Sequence, residues 1–311
     1  MIGVKKAKLS HIPVKGNRIR RTKGEICLTV IVVIVLSLLT FLCIYPIWFF
    51  VINSLSAPLW VGRASILPRM FTLYNYSTIF QDRSIYAAFG MSVMRTVAGT
   101  TATLICSSFV AYLFTHKYMP MKRLFYRMII FTMFFNAGMI PWYLTMRAYG
   151  LQNNFLLYIV PTMIVPFYMI LLKTFFESIP QALTESAEID GAGVLKIYAY
   201  IILPVSVPIL ASVTVFAAIA QWNSWFDNFL LNNRHEYMTL QLLLYQYLQR
   251  QMVSALSPTA TASEAAAFGM SSNPLSVRMT ISMITMLPIM MVYPFMQKYF
   301  IQGIMLGSVK G

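Results

Sequence analysis

Apolar stretches of about 20 residues recur along this chain, and each is long enough to cross the hydrocarbon core of a bilayer as a helix. Backbone groups in lipid have no water to bond, so the crossing segments must be helical. We therefore predict an all-α membrane protein with six transmembrane helices. The predicted spans cover about 26–53, 87–115, 125–147, 154–177, 201–222 and 279–301.

The composition agrees with this class. Hydrophobic residues make up 58% of the 311 residues and charged residues 11%, whereas a soluble domain carries about 25% charged residues. Cys27, Cys43 and Cys106 are dispersed among apolar residues, which predicts neither a disulfide framework nor a metal site. The three histidines are scattered, so metal transport is not expected.

Basic residues are distributed unevenly between the two sides of the predicted membrane. With six spans, sixteen of the 24 Lys and Arg residues fall on the side of both termini, and every lysine lies there. The positive-inside rule then places both termini in the cytoplasm of a multi-pass cell-membrane protein. Residues 1–25 form a basic cytoplasmic tail that would also attract anionic lipid. Nucleic-acid binding is not expected, because no basic surface interleaved with aromatic residues follows.

The cytoplasmic loop between the fourth and fifth spans carries acidic residues in a chain that has only nine. Ser178 and Gln181 have the spacing of a capping box, and Gly191 is a helix stop. The pattern predicts a short helix over about 179–190 and a second helix from about 194. Glu188 and Asp190 fall in the last turn of the first helix, where the helix dipole disfavours negative charge.

Two interpretations of these acidic residues follow from physics alone. Carboxylates placed where the helix dipole disfavours them indicate a function, such as contact with a basic partner. Alternatively, Lys196 or the basic tail neutralises the carboxylates, or water solvates them.

The same loop resembles the EAA loop of permease subunits of bacterial binding-protein-dependent ABC importers. The similarity lies in Glu185-Ser186-Ala187, Asp190-Gly191-Ala192 and Ile202-Leu203-Pro204. Further stretches resemble the carbohydrate permeases of the maltose-importer type, and in particular the shorter second subunit of the oligosaccharide and aldouronate uptake group. They are "LPRMFTLYNYSTIF" (67–80), "MIPWYLTMRAYGLQNNFLLYIVP" (139–161), "QWNSWFDN" (221–228), "YMTLQLLL" (237–244) and "QKYFIQGIMLGSVKG" (297–311).

The resemblance implies a type I importer permease fold over residues 26–311, with a cytoplasmic coupling helix in the loop at about 178–204. It implies a non-catalytic subunit, since no phosphate-binding G-x-x-x-x-G-K-[ST] loop occurs here. ATP and Mg²⁺ would be bound by a separate ATPase, while this chain binds no cofactor. The residues expected to contact the ATPase are Glu185, Ala187, Glu188, Asp190, Gly191, Ala192, Leu195 and Pro204.

Polar and aromatic residues at the outer end of the fifth span are candidates for a sugar path, because sugars present hydroxyl edges and apolar faces. An interfacial aromatic belt is the alternative. Asn136 and Trp142 in the third span are further candidates, although Asn can equally bond a neighbouring helix. The residues of the outer cluster are Trp222, Asn223, Trp225, Asp227 and Asn228.

Arg95 and Arg278 lie near outer span ends, where we expect them to extend toward the interface. The external loop at about 245–278 is rich in small and polar residues, and the resemblance implies contact with a binding protein there.

The implied partners are a second homologous permease, two copies of an ABC ATPase, an extracytoplasmic sugar-binding protein or lipoprotein, and the lipid membrane. The function expected is import of a sugar, in particular an oligosaccharide. Two alternatives stay open: the same machinery carrying a non-sugar solute, and an ion channel.

Overall fold

The computed structural model of the chain describes residues 22–62, 65–135, 137–256 and 274–308. Its described part is helical, with one isolated β-bridge between Ser56 and Phe71. The helices are α1 (Lys23–Ser54), α2 (Tyr74–Phe80), α3 (Arg83–Thr115), α4 (Lys122–Phe134), α5 (Met139–Ala148), α6 (Pro166–Phe176), α7 (Gln181–Ile189), α8 (Val194–Ile197), α9 (Leu203–Val205), α10 (Val207–Asn223), α11 (Phe226–Leu231), α12 (Leu240–Leu256) and α13 (Pro274–Ser308). Short 3₁₀ helices cover Pro58–Trp60, Phe155–Tyr158, Val160–Thr162 and His235–Tyr237, and a π-helix covers Tyr198–Ile202.

The chain forms two units, residues 1–48 and 49–311. The described part of the first unit is mostly the N-terminal portion of α1, whose apolar side chains are exposed. The second unit contains the remaining helices and the buried core.

Three helical segments of the described chain are long and apolar enough to cross a membrane: Lys23–Ser54, Arg83–Thr115 and Leu275–Pro294. Two bent pairs raise the number to five if each pair is one span. The first pair, Phe155–Thr162 with Pro166–Phe176, bends by 47°, and the second, Val194–Val205 with Val207–Asn223, bends by 85°. Five of the predicted spans therefore correspond to candidate crossings.

The third predicted span, 125–147, is not one continuous helix. The chain forms α4 of 13 residues and α5 of 10 residues, separated by a break. Gly138 at the start of α5 has φ +87°, a backbone conformation that residues with a side chain rarely adopt. A hydropathy pattern does not reveal this break in the helix.

Helix α3 is central to the second unit and contacts α6, α10 and α12. Its buried positions are largely small, including Gly99, Ser107 and Ala111, which allows neighbouring helices to approach closely. Toward the C-terminal end of α3, an apolar cluster combines Ala111 with residues such as Leu172 and Ile197. This cluster joins α3 to α6 and to α8.

Candidate functional site

Helices α7 and α8 form the acidic loop predicted from the sequence. The short first helix, the stop at Gly191 and the second helix from Val194 are confirmed, and Gly191 has φ +78°. The capping box was wrong: α7 follows Pro180, and Ser178 instead donates its hydroxyl hydrogen to the Phe175 carbonyl oxygen at 2.6 Å. Ser178 still belongs to the closing turn of α6, so its hydroxyl satisfies the carboxyl end of that helix.

The outer face of this loop combines negative charge with exposed apolar side chains. Glu185 and Asp190, two of the residues expected to contact the ATPase, are exposed. Ile189 is 87% exposed and Leu195 67% exposed. Sequence analysis overlooked Ile189, although its place between two acidic residues on a short helix was a usable signal.

The two small residues of the loop face the opposite way. Ala187 and Ala192 are half-buried and pack against the apolar cluster at the end of α3. The Ala192 amide donates to the Ala187 carbonyl oxygen at 2.9 Å, which closes the turn over Gly191. Pro204 is exposed and lies just before the 85° bend. Ala187 and Ala192 thus attach the loop to its own chain.

Glu188 forms an ion pair within the chain. Its carboxylate lies 3.5 Å from Nζ of Lys117, in the turn that follows α3. The Glu188 carboxylate, followed by Tyr118, raises the pKa of Lys117 above its ordinary value of 10.5. The basic residue that reaches Glu188 in the described chain is thus Lys117 rather than Lys196.

The outer cluster is divided between buried and accessible residues. Trp222 is 7% exposed, and its indole N–H donates to the Thr285 carbonyl oxygen at 3.0 Å. Asn228 is fully buried and donates its amide to the Tyr237 carbonyl oxygen and to the Thr239 hydroxyl. These two residues bond to their own chain.

Asp227 is paired with Arg95. One guanidinium nitrogen, Nη1, donates to Asp227 Oδ1 at 3.0 Å, and Nη2 donates to Oδ2 at 2.5 Å. The side chains are 2% and 14% exposed respectively. The expectation that Arg95 extends toward the membrane interface was wrong, because a carboxylate from a distant part of the chain compensates its charge within the protein.

The remaining polar groups around Arg95 join three segments of the chain. Its Nε donates to Gln221 Oε1 at 3.1 Å, and Nη1 also donates to the Ser224 carbonyl oxygen at 3.2 Å. Gln221 Nε2 donates to the Tyr158 carbonyl oxygen and to the Thr162 hydroxyl. The Tyr158 ring lies 4.4 Å from the guanidinium carbon, a cation–π distance.

Accessible members of the outer cluster contact helix α12. The exposed Asn223 accepts a hydrogen bond from Gln241 Nε2 at 3.2 Å. The half-buried Trp225 stacks on Tyr245, with ring centroids 4.0 Å apart and ring planes inclined by 19°. Gln241 and Tyr245 were not predicted, since helical spacing on α12 alone does not reveal what they face.

Of the two candidates in the third predicted span, the structure describes only Trp142. Trp142 is half-buried on α5 and lines an open cavity of about 430 Å³ at the α4–α5 break, together with Gly138, Pro141 and Thr145. Asn136 lies outside the described residues. Within the described chain, no group of three His, Cys, Asp or Glu side chains is placed to hold a metal ion.

Comparison with known proteins decides the family. The chain is 36% identical over 248 residues to the polygalacturonan/rhamnogalacturonan transport system permease protein YtcP of Bacillus subtilis, covering 79% of this chain and 84% of that protein. It is 33% identical over 270 residues to Protein LplC of Bacillus subtilis, covering 86% and 90%. The chain belongs to the permease subunits of carbohydrate ABC transport systems. No family model matches it.

One solved structure and a further relative agree with this family. A bacterial ABC transporter involved in the import of the acidic polysaccharide alginate contains a chain with a TM-score of 0.80 and 28% identity, covering 90% of this chain and 99% of that one. The melibiose/raffinose/stachyose import permease protein MelC of Bacillus subtilis is 27% identical, covering 94% of this chain and all of that protein. The helical permease fold therefore extends over most of the chain.

Proposed function

We propose that this chain is one of two permease subunits of an ATP-driven importer that moves an oligosaccharide into the bacterial cytoplasm. Its partners are a second permease, a pair of ABC ATPases that bind ATP and Mg²⁺, and an extracytoplasmic sugar-binding protein. The observation that carries the proposal is the acidic loop, which exposes acidic and apolar side chains. The chain that contains this loop is 36% identical to a sugar permease.

The proposed topology has six crossings with both termini in the cytoplasm, and it places α7 and α8 on the cytoplasmic side as the coupling helix. A single cysteine replacing Gly193 tests this placement, because Gly193 has φ −72° and no atom lies within 4 Å of an added Cβ. In a chain without native cysteines, Gly193→Cys should react only with membrane-permeant thiol reagents. Glu236→Cys, predicted to face outward, is the matched control. Labelling of Gly193→Cys from outside intact cells would refute the topology.

The proposed ATPase contact uses Glu185 and Asp190 as charged groups, with Ile189 and Leu195 as apolar groups. Glu185→Lys with Asp190→Lys should reduce ATPase copurification and binding-protein-stimulated ATP hydrolysis. Glu236→Lys, which reverses an exposed acid in another part of the chain, should leave both unchanged. Normal assembly and hydrolysis in the double variant would refute this contact.

Uronate-containing oligosaccharides are the substrates that we propose to test first. YtcP is named for polygalacturonan and rhamnogalacturonan, and the structural neighbour takes part in alginate import. Stimulated ATPase activity of the reconstituted importer should be measured with its binding protein and tri-galacturonate, and with raffinose as the neutral comparison. Stimulation by raffinose alone would overturn the uronate assignment. Stimulation by neither sugar, with an intact complex, would refute both the uronate assignment and the choice of these oligosaccharides as cargo.

A further inference from the structure

The junction between helices α10 and α11, residues 221–228, is held by a side chain from another part of the membrane domain. Arg95 on α3 bonds to the Gln221 side chain, the Ser224 carbonyl oxygen and the Asp227 carboxylate. These three groups lie before, within and after the turn that joins the two helices. A single guanidinium therefore fixes the whole junction relative to α3.

Holding a turn with a buried ion pair carries a desolvation penalty. Removing an arginine and a carboxylate from water costs free energy that their attraction often does no more than offset, and apolar residues of similar size frequently pack as well. Ionisable groups within membrane segments therefore indicate a function and not only packing. The planar guanidinium supplies several directed hydrogen bonds, which fix orientation in a way that apolar contacts do not.

The neighbouring residue Gly99 is adapted to the same arrangement. A Cβ at position 99 would lie 2.4 Å from Gln221 Nε2, a distance that real Cβ contacts do not show. Gln221 has little freedom to withdraw, because Arg95, Tyr158 and Thr162 all bond to its amide. Position 99 thus provides the space that Gln221 occupies between α3 and α10.

The junction carries two of the accessible residues of the outer cluster. Asn223 is paired with Gln241, and Trp225 is stacked on Tyr245. Gln241 and Tyr245 are four residues apart on α12, so the two pairs are neighbours on one face of that helix. We call these four residues the amide–aromatic patch. Amide groups bond to sugar hydroxyls, and aromatic rings cover the apolar faces of sugar rings.

We propose that Arg95 is a positioning residue that holds the α10–α11 junction so that the amide–aromatic patch forms an outer carbohydrate contact of the permease. This proposal rests on the proposed function for its cargo, but the positioning role of Arg95 does not. The hydrogen bond between Asn223 and Gln241 uses one end of each amide. The opposite ends, Asn223 Nδ2 and Gln241 Oε1, are the donor and acceptor that we assign to a sugar hydroxyl.

The first experiment measures the position of the junction without any sugar. Cysteines at positions 223 and 241, in a complex without its native cysteines, are treated with a short bifunctional methanethiosulfonate reagent. The cross-link should form efficiently with Arg95 present. It should fall several-fold in the apolar pair Arg95→Met with Asp227→Leu, which avoids leaving one charge buried alone. Arg83→Met, an exposed arginine at the start of the same helix, is the control.

The second experiment measures transport by the intact complex. Asn223→Ala and Gln241→Ala should each raise the KM for the sugar that stimulates the wild-type complex several-fold, with Vmax per assembled complex little changed. The Arg95→Met/Asp227→Leu variant should show the same split. A purely structural role for Arg95 would instead lower the amount of assembled complex and leave KM unchanged.

The outcomes test the positioning role of Arg95 and the carbohydrate contact separately. An undiminished cross-link in the Arg95→Met/Asp227→Leu complex overturns the positioning role. Unchanged KM values in Asn223→Ala and Gln241→Ala overturn the carbohydrate contact. If neither tri-galacturonate nor raffinose stimulates the wild-type complex, the cargo proposal fails, while the cross-linking result still decides whether Arg95 positions the junction.

Discussion

Breaking the Arg95–Asp227 pair from either side should destabilise the protein strongly. Both side chains are nearly excluded from solvent, at 2% and 14% exposure. Removing one partner from a buried ion pair costs about 3–5 kcal/mol, because the remaining charge is uncompensated. We expect losses in this range for Arg95→Met and for Asp227→Leu.

The structure also predicts which single variant loses more. Without Arg95, Asp227 retains hydrogen bonds from the Ser224 hydroxyl and the Asn228 backbone N–H, and part of its carboxylate reaches solvent. Without Asp227, the more deeply buried guanidinium retains neutral partners, including the Tyr158 ring. The Asp227→Leu loss should therefore be at least as large as that of Arg95→Met.

The double variant separates the cost of an unpaired charge from the value of the pair. Replacing a buried ion pair by apolar residues of similar volume is often neutral or stabilising, so the double variant should lose less than either single variant, by about 1 kcal/mol or more. The assay is reversible unfolding of the purified permease in mixed micelles titrated with SDS. A double variant that loses the sum of the two single losses would refute this account.

Three further predictions concern single positions. Gly99→Ala should cost about 1–3 kcal/mol through overpacking, and Gln221→Ala in the same chain should recover part of it, measured by the same unfolding titration. Gly191→Ala should cost about 1 kcal/mol because the φ of Gly191 is +78°. Gly193→Ala, at an N-cap with φ −72°, should cost less, and equal losses would contradict the argument. Because the ion pair with Glu188 raises the pKa of Lys117, its contribution is present at pH 8, where both groups are charged, and is lost as the pH rises through the raised pKa. Lys117→Gln should therefore lower the melting temperature at pH 8, and its difference from the wild type should shrink as the pH rises through the raised pKa of Lys117.

Local features of the acidic loop could be predicted because their causes lie within a few residues. The left-handed Gly191 and the helix beginning at Val194 follow from nearby sequence. Ser178 shows the limit of this reasoning: it has the spacing of a helix cap, but its hydroxyl satisfies the preceding helix. Both uses suit a serine between two helices, and the sequence alone does not choose between them.

The role of Arg95 could not be predicted, because its counterion lies 132 residues away along the chain. Hydropathy assigns an arginine near a span end to the interface, and only the tertiary fold reveals a buried carboxylate. The prediction of a continuous helix for the third span was wrong for a related reason. The positive φ of Gly138 lies at a break in an apolar run whose side-chain composition is that of an unbroken helix.

Helix α3 connects the two regions to which function is assigned. Near its C-terminal end, the apolar cluster holds Ala187 and Ala192 of the acidic loop, and the following turn supplies Lys117 to that loop. Arg95 lies twenty residues before the end of the helix at Thr115, a distance of about 30 Å at 1.5 Å per residue. One helix therefore contacts both the proposed ATPase-facing loop and the α10–α11 junction. Displacement of the loop along this helix axis would reach the junction without an intervening flexible segment.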